Sequence, residues 1–124
     1  MRLTCSRKPG AVGVAVMDAV TAPGFLEHVS RIAGRLRQGL EGLVAAHPQV
    51  FEGVRGEGLM LGLKCRAPNT DVVRAGYDAR VLTVGAADNV VRLLPALNLT
   101  EAEVDEGLRR LDQAATTLAV GAEA

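Results

Sequence analysis

VVRLLPALNLTEAEVDEGLRRL, residues 90–111, changes its period partway along. Over Val90–Leu94 the residues alternate between two faces, as in a strand. Val90, Arg92 and Leu94 share one face, and Val91 and Leu93 share the other. Beyond Pro95 the pattern lengthens. Thr100-Glu101-Ala102-Glu103 has the form of a capping box, in which the Thr100 hydroxyl accepts from the Glu103 amide and the Glu103 carboxylate reaches back. Val104, Leu108, Leu111, Ala115 and Leu118 then recur at helical spacing. A strand followed by a capped helix calls for a sheet with that helix packed on it. Arg92 is the exception in the pattern, a permanent cation in the middle of an apolar strand. A buried, unpaired guanidinium costs several kcal/mol. Arg92 must therefore reach water from an edge strand, pair with a carboxylate of its own fold, or meet an anionic ligand, and spacing leaves all three open.

Upstream, Ala86-Ala87-Asp88-Asn89 reads as a turn, and Val81–Val84 before it as a short strand. Pro68-Asn69-Thr70-Asp71 is a turn and helix start, with a short helix to about Ala79. Val50–Arg55 and Leu59–Cys65 read as two strands punctuated by Gly56 and Gly58. Leu59, Leu61, Leu63 and Cys65 alternate on one face, with Met60, Gly62 and Lys64 opposite. Phe25, Val29, Ile32, Leu36, Leu40 and Leu43 mark a long amphipathic helix that ends before Pro48. Gly10–Ala22 is nearly apolar on every side, with Asp18 its only charge. Its valines suggest a strand; as a helix it would need cover all round, which a terminal helix of a small chain rarely finds within its own fold.

Residues 1–9 read as an irregular start, 10–119 as one domain and 120–124 as a frayed tail. The order is helix, helix, strand, strand, helix, strand, strand, helix. This predicts an α+β fold: a small, mostly antiparallel sheet with helices on one face.

The chain has 124 residues, enough for one domain. Its 48% apolar content with only 2% aromatics requires an aliphatic core. Fourteen basic and fourteen acidic residues cancel, and no basic stripe or stacking aromatics point to nucleic acid. No apolar run reaches membrane-spanning length and the opening MRLTCSRKPG lacks a signal-type core, so no membrane partner and a cytoplasmic location are expected. Cys5 and Cys65 lack metal-type spacing and read as reduced thiols, with a single disulfide as the alternative.

Gly56-x-Gly58-x-x-x-Gly62 fails as a dinucleotide loop because a strand follows it, and reads as a glycine-rich turn. His28 and His47 have no nearby serine or cysteine at catalytic spacing; His47 reads as a helix-end residue favouring the dipole. Glu101, Glu103, Asp105 and Glu106 read as a solvated first turn rather than a metal site. The only lysines, Lys8 and Lys64, lack the setting of an activated amine.

KPGAVGVAVMDAV, VRGEGLMLGLK and DNVVRLLPALNLTEAEVDEGLRRL together resemble the C-terminal part of class III, pyridoxal-phosphate-dependent aminotransferases. The likeness runs in uninterrupted order from about Pro9 to Leu118. It is nearest the branch that acts on N-acetylornithine and 2-oxoglutarate in arginine biosynthesis. Transaminases of ornithine, succinylornithine and 4-aminobutyrate share much of this domain.

The resemblance implies a fold-type I enzyme, normally a homodimer. Its large domain carries the cofactor lysine, and a smaller C-terminal domain packs over the site. It implies amino-acid and 2-oxo-acid substrates. It also implies that Arg92, in the VVRLLP-type strand, binds the substrate α-carboxylate. Thr4 falls where the family threonine contacts the cofactor phosphate from the neighbouring subunit, although TCSRKPGA lacks the family's glycines and asparagine there. Neither Lys8 nor Lys64 aligns with the cofactor lysine, so no catalytic residue is expected in this chain, which alone would be inactive and hold no stable cofactor. The partner would then be a large domain or a second copy. The alternative from another class is a non-catalytic association module, or a product with no selected role.

Overall fold

The computed structural model describes residues 4–123, with side chains from residue 8 to residue 121. Helix α1 spans Thr4–Thr21 and helix α2 Phe25–Ala46. Strands β1 (Phe51–Glu57) and β2 (Met60–Cys65) follow, then helix α3 (Asn69–Asp78). Strands β3 (Val84–Ala86) and β4 (Val90–Leu93) lead to helix α4 (Glu101–Glu123). The four strands form one antiparallel sheet in the order β1-β2-β4-β3. The α+β architecture with a small antiparallel sheet is thus the one predicted.

One face of the sheet carries the core. Leu61, Leu63 and Cys65 of β2, Phe51 of β1 and Val91 of β4 are buried there. They meet Ile32, Leu36 and Leu40 of α2 and Val104, Leu111 and Ala115 of α4. The helical stripes read from the sequence are the faces that turn inward. At Gly39, helices α2 and α4 touch closely: an added Cβ would lie 2.2 Å from Leu108 Cδ1.

The capping box forms as read. The Glu103 amide donates to Thr100 Oγ1 at 3.2 Å, and the Thr100 amide donates to Glu103 Oε2 at 3.1 Å. The other first-turn acids are not merely solvated. Arg31 of α2 pairs with Glu101 at 2.8 Å, and the Arg35 guanidinium donates to both oxygens of Asp105. These pairs tie α2 to α4 at their solvent edge.

Three stretches differ from the sequence reading. Residues 4–9, expected to be irregular, lie within α1, with Pro9 inside the helix. At the other end, α4 runs on to Glu123 through most of the expected frayed tail. Val81–Thr83, expected as strand, is irregular, and pairing begins only at Val84. The cause is the way α3 ends. Arg80 takes a left-handed conformation (φ 63), its amide donates to the Tyr77 carbonyl, and the Val81 amide donates to the Gly76 carbonyl at 2.8 Å. This pair of bonds is the Schellman motif, and it uses Val81 before any sheet can.

Helix α1 resolves the ambiguity of its apolar stretch in favour of helix, and it does so without cover. It leaves α2 at a 72° bend around Pro23-Gly24. Val12, Val14, Val16 and Met17 are all more than half exposed. No single described helix is long and apolar enough to cross a membrane.

Candidate functional site

Among the described residues, no helix packs on the face of the sheet opposite the core. Register places its side chains. Arg55 of β1 faces Gly62 of β2, Gly62 faces Arg92 of β4, and Arg92 faces Val84 of β3. Cross-strand partners project to the same side, so these four form one row across the open face. The neighbouring row holds Lys64, opposite Val90. Met60 and Val84 are exposed here, as expected of an uncovered sheet face.

Within this row lies a shallow depression of about 300 Å³. Arg55 and Arg92 flank it, with Gly62 between them and Met60, Ala86 and Val90 around it. Gly62 is small of necessity: an added Cβ would stand 2.7 Å from Val90 Cγ1. The missing side chain leaves the floor between the two arginines open.

The three cations of this face are not alike. Arg55 Nη1 donates to Asp88 Oδ2 at 2.6 Å. Lys64 Nζ lies 3.1 Å from Asp88 Oδ1 and also donates to the Asp88 carbonyl. Hydrogen bonds from Arg55 and then Lys64 hold the Asp88 carboxyl below the usual carboxylate range. Arg92 is exposed and, among the described residues, has neither an ion pair nor a side-chain hydrogen bond. Its planar pair of N–H groups matches the two oxygens of a carboxylate. Of the three fates left open by spacing, this geometry removes pairing within the fold; the edge strand is not found either, since β4 lies between β2 and β3 and Arg92 reaches water from the open face of the sheet.

Two asparagines position β4 and the turn before it. Asp88 and Asn89 both have positive φ (61 and 55) in the three-residue turn, Ala87 to Asn89, that joins Ala86 to its partner Val90. The Asn89 side chain accepts from the Asn69 amide at 2.8 Å and donates to the carbonyls of Cys65 and Ala67. Asn69 in turn donates to the carbonyls of Ala86 and Val90. The end of β2, the start of α3 and the β3–β4 turn are thereby tied together, and Asp88 is carried to its two cations. From the sequence Asn89 was legible only as a turn residue. Asp88 carried no signal of its role, since Arg55 lies 33 residues away.

The remaining candidates fall elsewhere. Thr4 opens α1, but its side chain lies outside the described residues. Lys64 is ion-paired with Asp88, and Lys8 lies on exposed α1. His28 sits between the Leu99 carbonyl and Arg31, and His47 ends α2 with its Nε2 at 2.7 Å from Asp112 Oδ1. Both are structural contacts. No group of metal-ligating side chains occurs among the described residues. Cys65 is buried, and desolvation pushes its thiol up to about 11, against the smaller opposing effects of the Val91 backbone and Lys64.

Comparison with known proteins bears on this geometry. The model of the aminotransferase class-III family matches residues 9–115. The acetylornithine aminotransferase of Rhodobacter capsulatus is 61% identical over 108 residues, covering 87% of this chain and 28% of the relative. That of Mesorhizobium japonicum is 51% identical, over 88% of this chain and 27% of its own length. This chain therefore spans little more than a quarter of the curated relatives it matches. Among solved structures, N-acetylornithine aminotransferase from Stenotrophomonas maltophilia superposes with a TM-score of 0.82 at 30% identity, over 90% of this chain and 31% of that one. The ornithine aminotransferase of Toxoplasma gondii shares the fold at 18% identity, with a TM-score of 0.82 over 92% of this chain and 28% of that one.

Proposed function

The chain belongs to the class-III aminotransferases, a family dependent on pyridoxal phosphate, and from that premise we propose that it is the C-terminal small domain of an acetylornithine aminotransferase-like enzyme. The whole enzyme would move an amino group from N-acetylornithine to 2-oxoglutarate, in the arginine pathway of the cytoplasm. One observation carries this reading: an unpaired guanidinium, Arg92, on an uncovered sheet face beside a glycine floor. There Arg92 would hold the α-carboxylate of the amino acid or oxo acid through two parallel hydrogen bonds. Its contribution would be orientation, fixing the reacting carbon relative to groups held by another domain.

The cofactor, when bound in the family, supplies the electron sink. In this reading the lysine that carries it belongs to another domain, in keeping with Lys64 being ion-paired with Asp88 and Lys8 standing on exposed α1. The chain's share of the chemistry is therefore binding and orientation. By itself it would transfer no amino group. Thr4 keeps its proposed place as a phosphate contact across a homodimer.

The test is a chimera. The matching quarter of the Rhodobacter capsulatus enzyme is replaced by this chain, and steady-state kinetics are compared with the Arg92→Gln chimera. Loss of a bidentate charge-assisted contact of about 3 kcal/mol predicts a fall in kcat/KM of about a hundredfold. A functional chimera indifferent to Arg92→Gln would overturn the assignment. Pyridoxal phosphate added to the isolated chain should give no single-lysine adduct that borohydride traps, and specific trapping with turnover would contradict the proposed division of labour.

The exposed apolar side of α1 favours a second reading, a non-catalytic association module. Light scattering separates the two. The module reading requires a defined oligomer of the isolated chain, and a monomer that binds no hydrophobic dye excludes it.

A further inference from the structure

Resting on the reading of Arg92 as a carboxylate site, we propose that Asp88 is the positioning residue that limits the open sheet face to one carboxylate, by occupying Arg55 and Lys64 and leaving Arg92 free. Arg55 and Arg92 stand in one row on either side of Gly62. Two strand spacings separate their backbones by about 9–10 Å. The depression between them is open over the glycine. Two guanidiniums facing each other across such a floor would clasp a short dicarboxylate, one group at each end.

Asp88 stands against that. Its Oδ2 takes Arg55 Nη1, its Oδ1 lies by Lys64 Nζ, and its carbonyl takes the lysine as well. The carboxylate neutralises part of the charge an incoming second anion would seek and repels the anion itself. Asp88 can reach both cations because the three-residue turn and the Asn89 side chain hold it over the open face. The face is thus built to grip a substrate by a single carboxylate and leave its other end unbound.

The test uses the 124-residue chain itself, with acetate and glutarate as probes and the arginine Nε–Hε resonances as site-resolved readouts. In the unaltered chain, Arg92 should respond to both anions with dissociation constants within about twofold of each other, and Arg55 should not respond. Asp88→Asn keeps a residue type tolerant of positive φ, so the turn is retained. In that variant glutarate should bind about tenfold more tightly than acetate, the worth of one added charge-assisted contact, and Arg55 should report it with Arg92. Adding Arg55→Gln together with Lys64→Gln should restore parity. Equal affinities in Asp88→Asn, with Arg92 still responding, would refute the role of Asp88 alone. An Arg92 silent to both anions would instead refute the carboxylate site on which the proposal rests.

Discussion

Replacing Asn89 tests how the fold builds its site. The side chain makes three hydrogen bonds, accepting from the Asn69 amide and donating to the Cys65 and Ala67 carbonyls. It is half-buried, and its φ is 55. Each lost bond is worth about 1 kcal/mol net. Asn89→Gly loses the bonds, about 3 kcal/mol, while the chain entropy it adds to the unfolded state is offset by glycine's ease at positive φ. Asn89→Ala loses the same bonds and also forces a Cβ-bearing residue without a local hydrogen bond into the left-handed region, adding about 1 kcal/mol. The order expected is therefore wild type, then Gly, then Ala, the last down by about 4 kcal/mol of a total on the order of 10. Urea denaturation followed by circular dichroism reads this as a shift of midpoint at unchanged slope. If Asn89→Ala stays within about 1 kcal/mol of wild type, the three bonds do not hold the turn. If Gly and Ala are reversed, the left-handed backbone at residue 89 does not carry the expected cost.

Other perturbations probe separate features. Gly56 has φ 110, and an added Cβ would stand 2.1 Å from the Met60 carbonyl oxygen. Gly56→Ala should cost more than about 3 kcal/mol or prevent folding, while Gly53→Ala, which meets nothing within 4 Å, should be nearly neutral by the same denaturation assay. Acid should weaken the fold in a defined window. Hydrogen bonds from Arg109 and Arg110 hold Glu106 down at about 2, and Arg35 likewise lowers Asp105. Groups depressed in the folded state stabilise it above their ordinary carboxylate range, and that stability is lost as pH falls through the folded values. Urea midpoints should therefore drop between the ordinary glutamate range near 4.5 and about 2, and Glu106→Gln should flatten part of the slope. High salt should shrink the effect, since these pairs are exposed. Cys65, buried with its thiol raised to about 11, should resist a thiol reagent at pH 8 until urea unfolds the chain, measured in a Cys5→Ser background.

Much of this molecule was legible locally. The capping box of α4, the inward stripes of α2 and α4, and the alternation of β2 follow from contacts one to four residues apart, which pattern reading addresses. Helix α1 shows the limit of that method. Its apolar, valine-rich run has no distinguishing period, and its helical state leaves apolar side chains exposed. The misplaced strand at Val81–Thr83 has the same origin, since a non-glycine residue, Arg80, closes α3 in the left-handed region where sequence signals favour glycine.

By itself the sequence determined that Arg92 sits mid-strand on the face opposite Val91, and that a cation there requires water or an anion. Only tertiary structure decided which charges surround it. Strand order β1-β2-β4-β3 brings Arg55 and Arg92 to either side of Gly62, and the hairpin carries Asp88 to Arg55, 33 residues distant, and not to Arg92. Side-chain period reports which face a residue occupies. Which charges meet on that face depends on strand order and turn geometry, and those are set by pairing between distant parts of the chain.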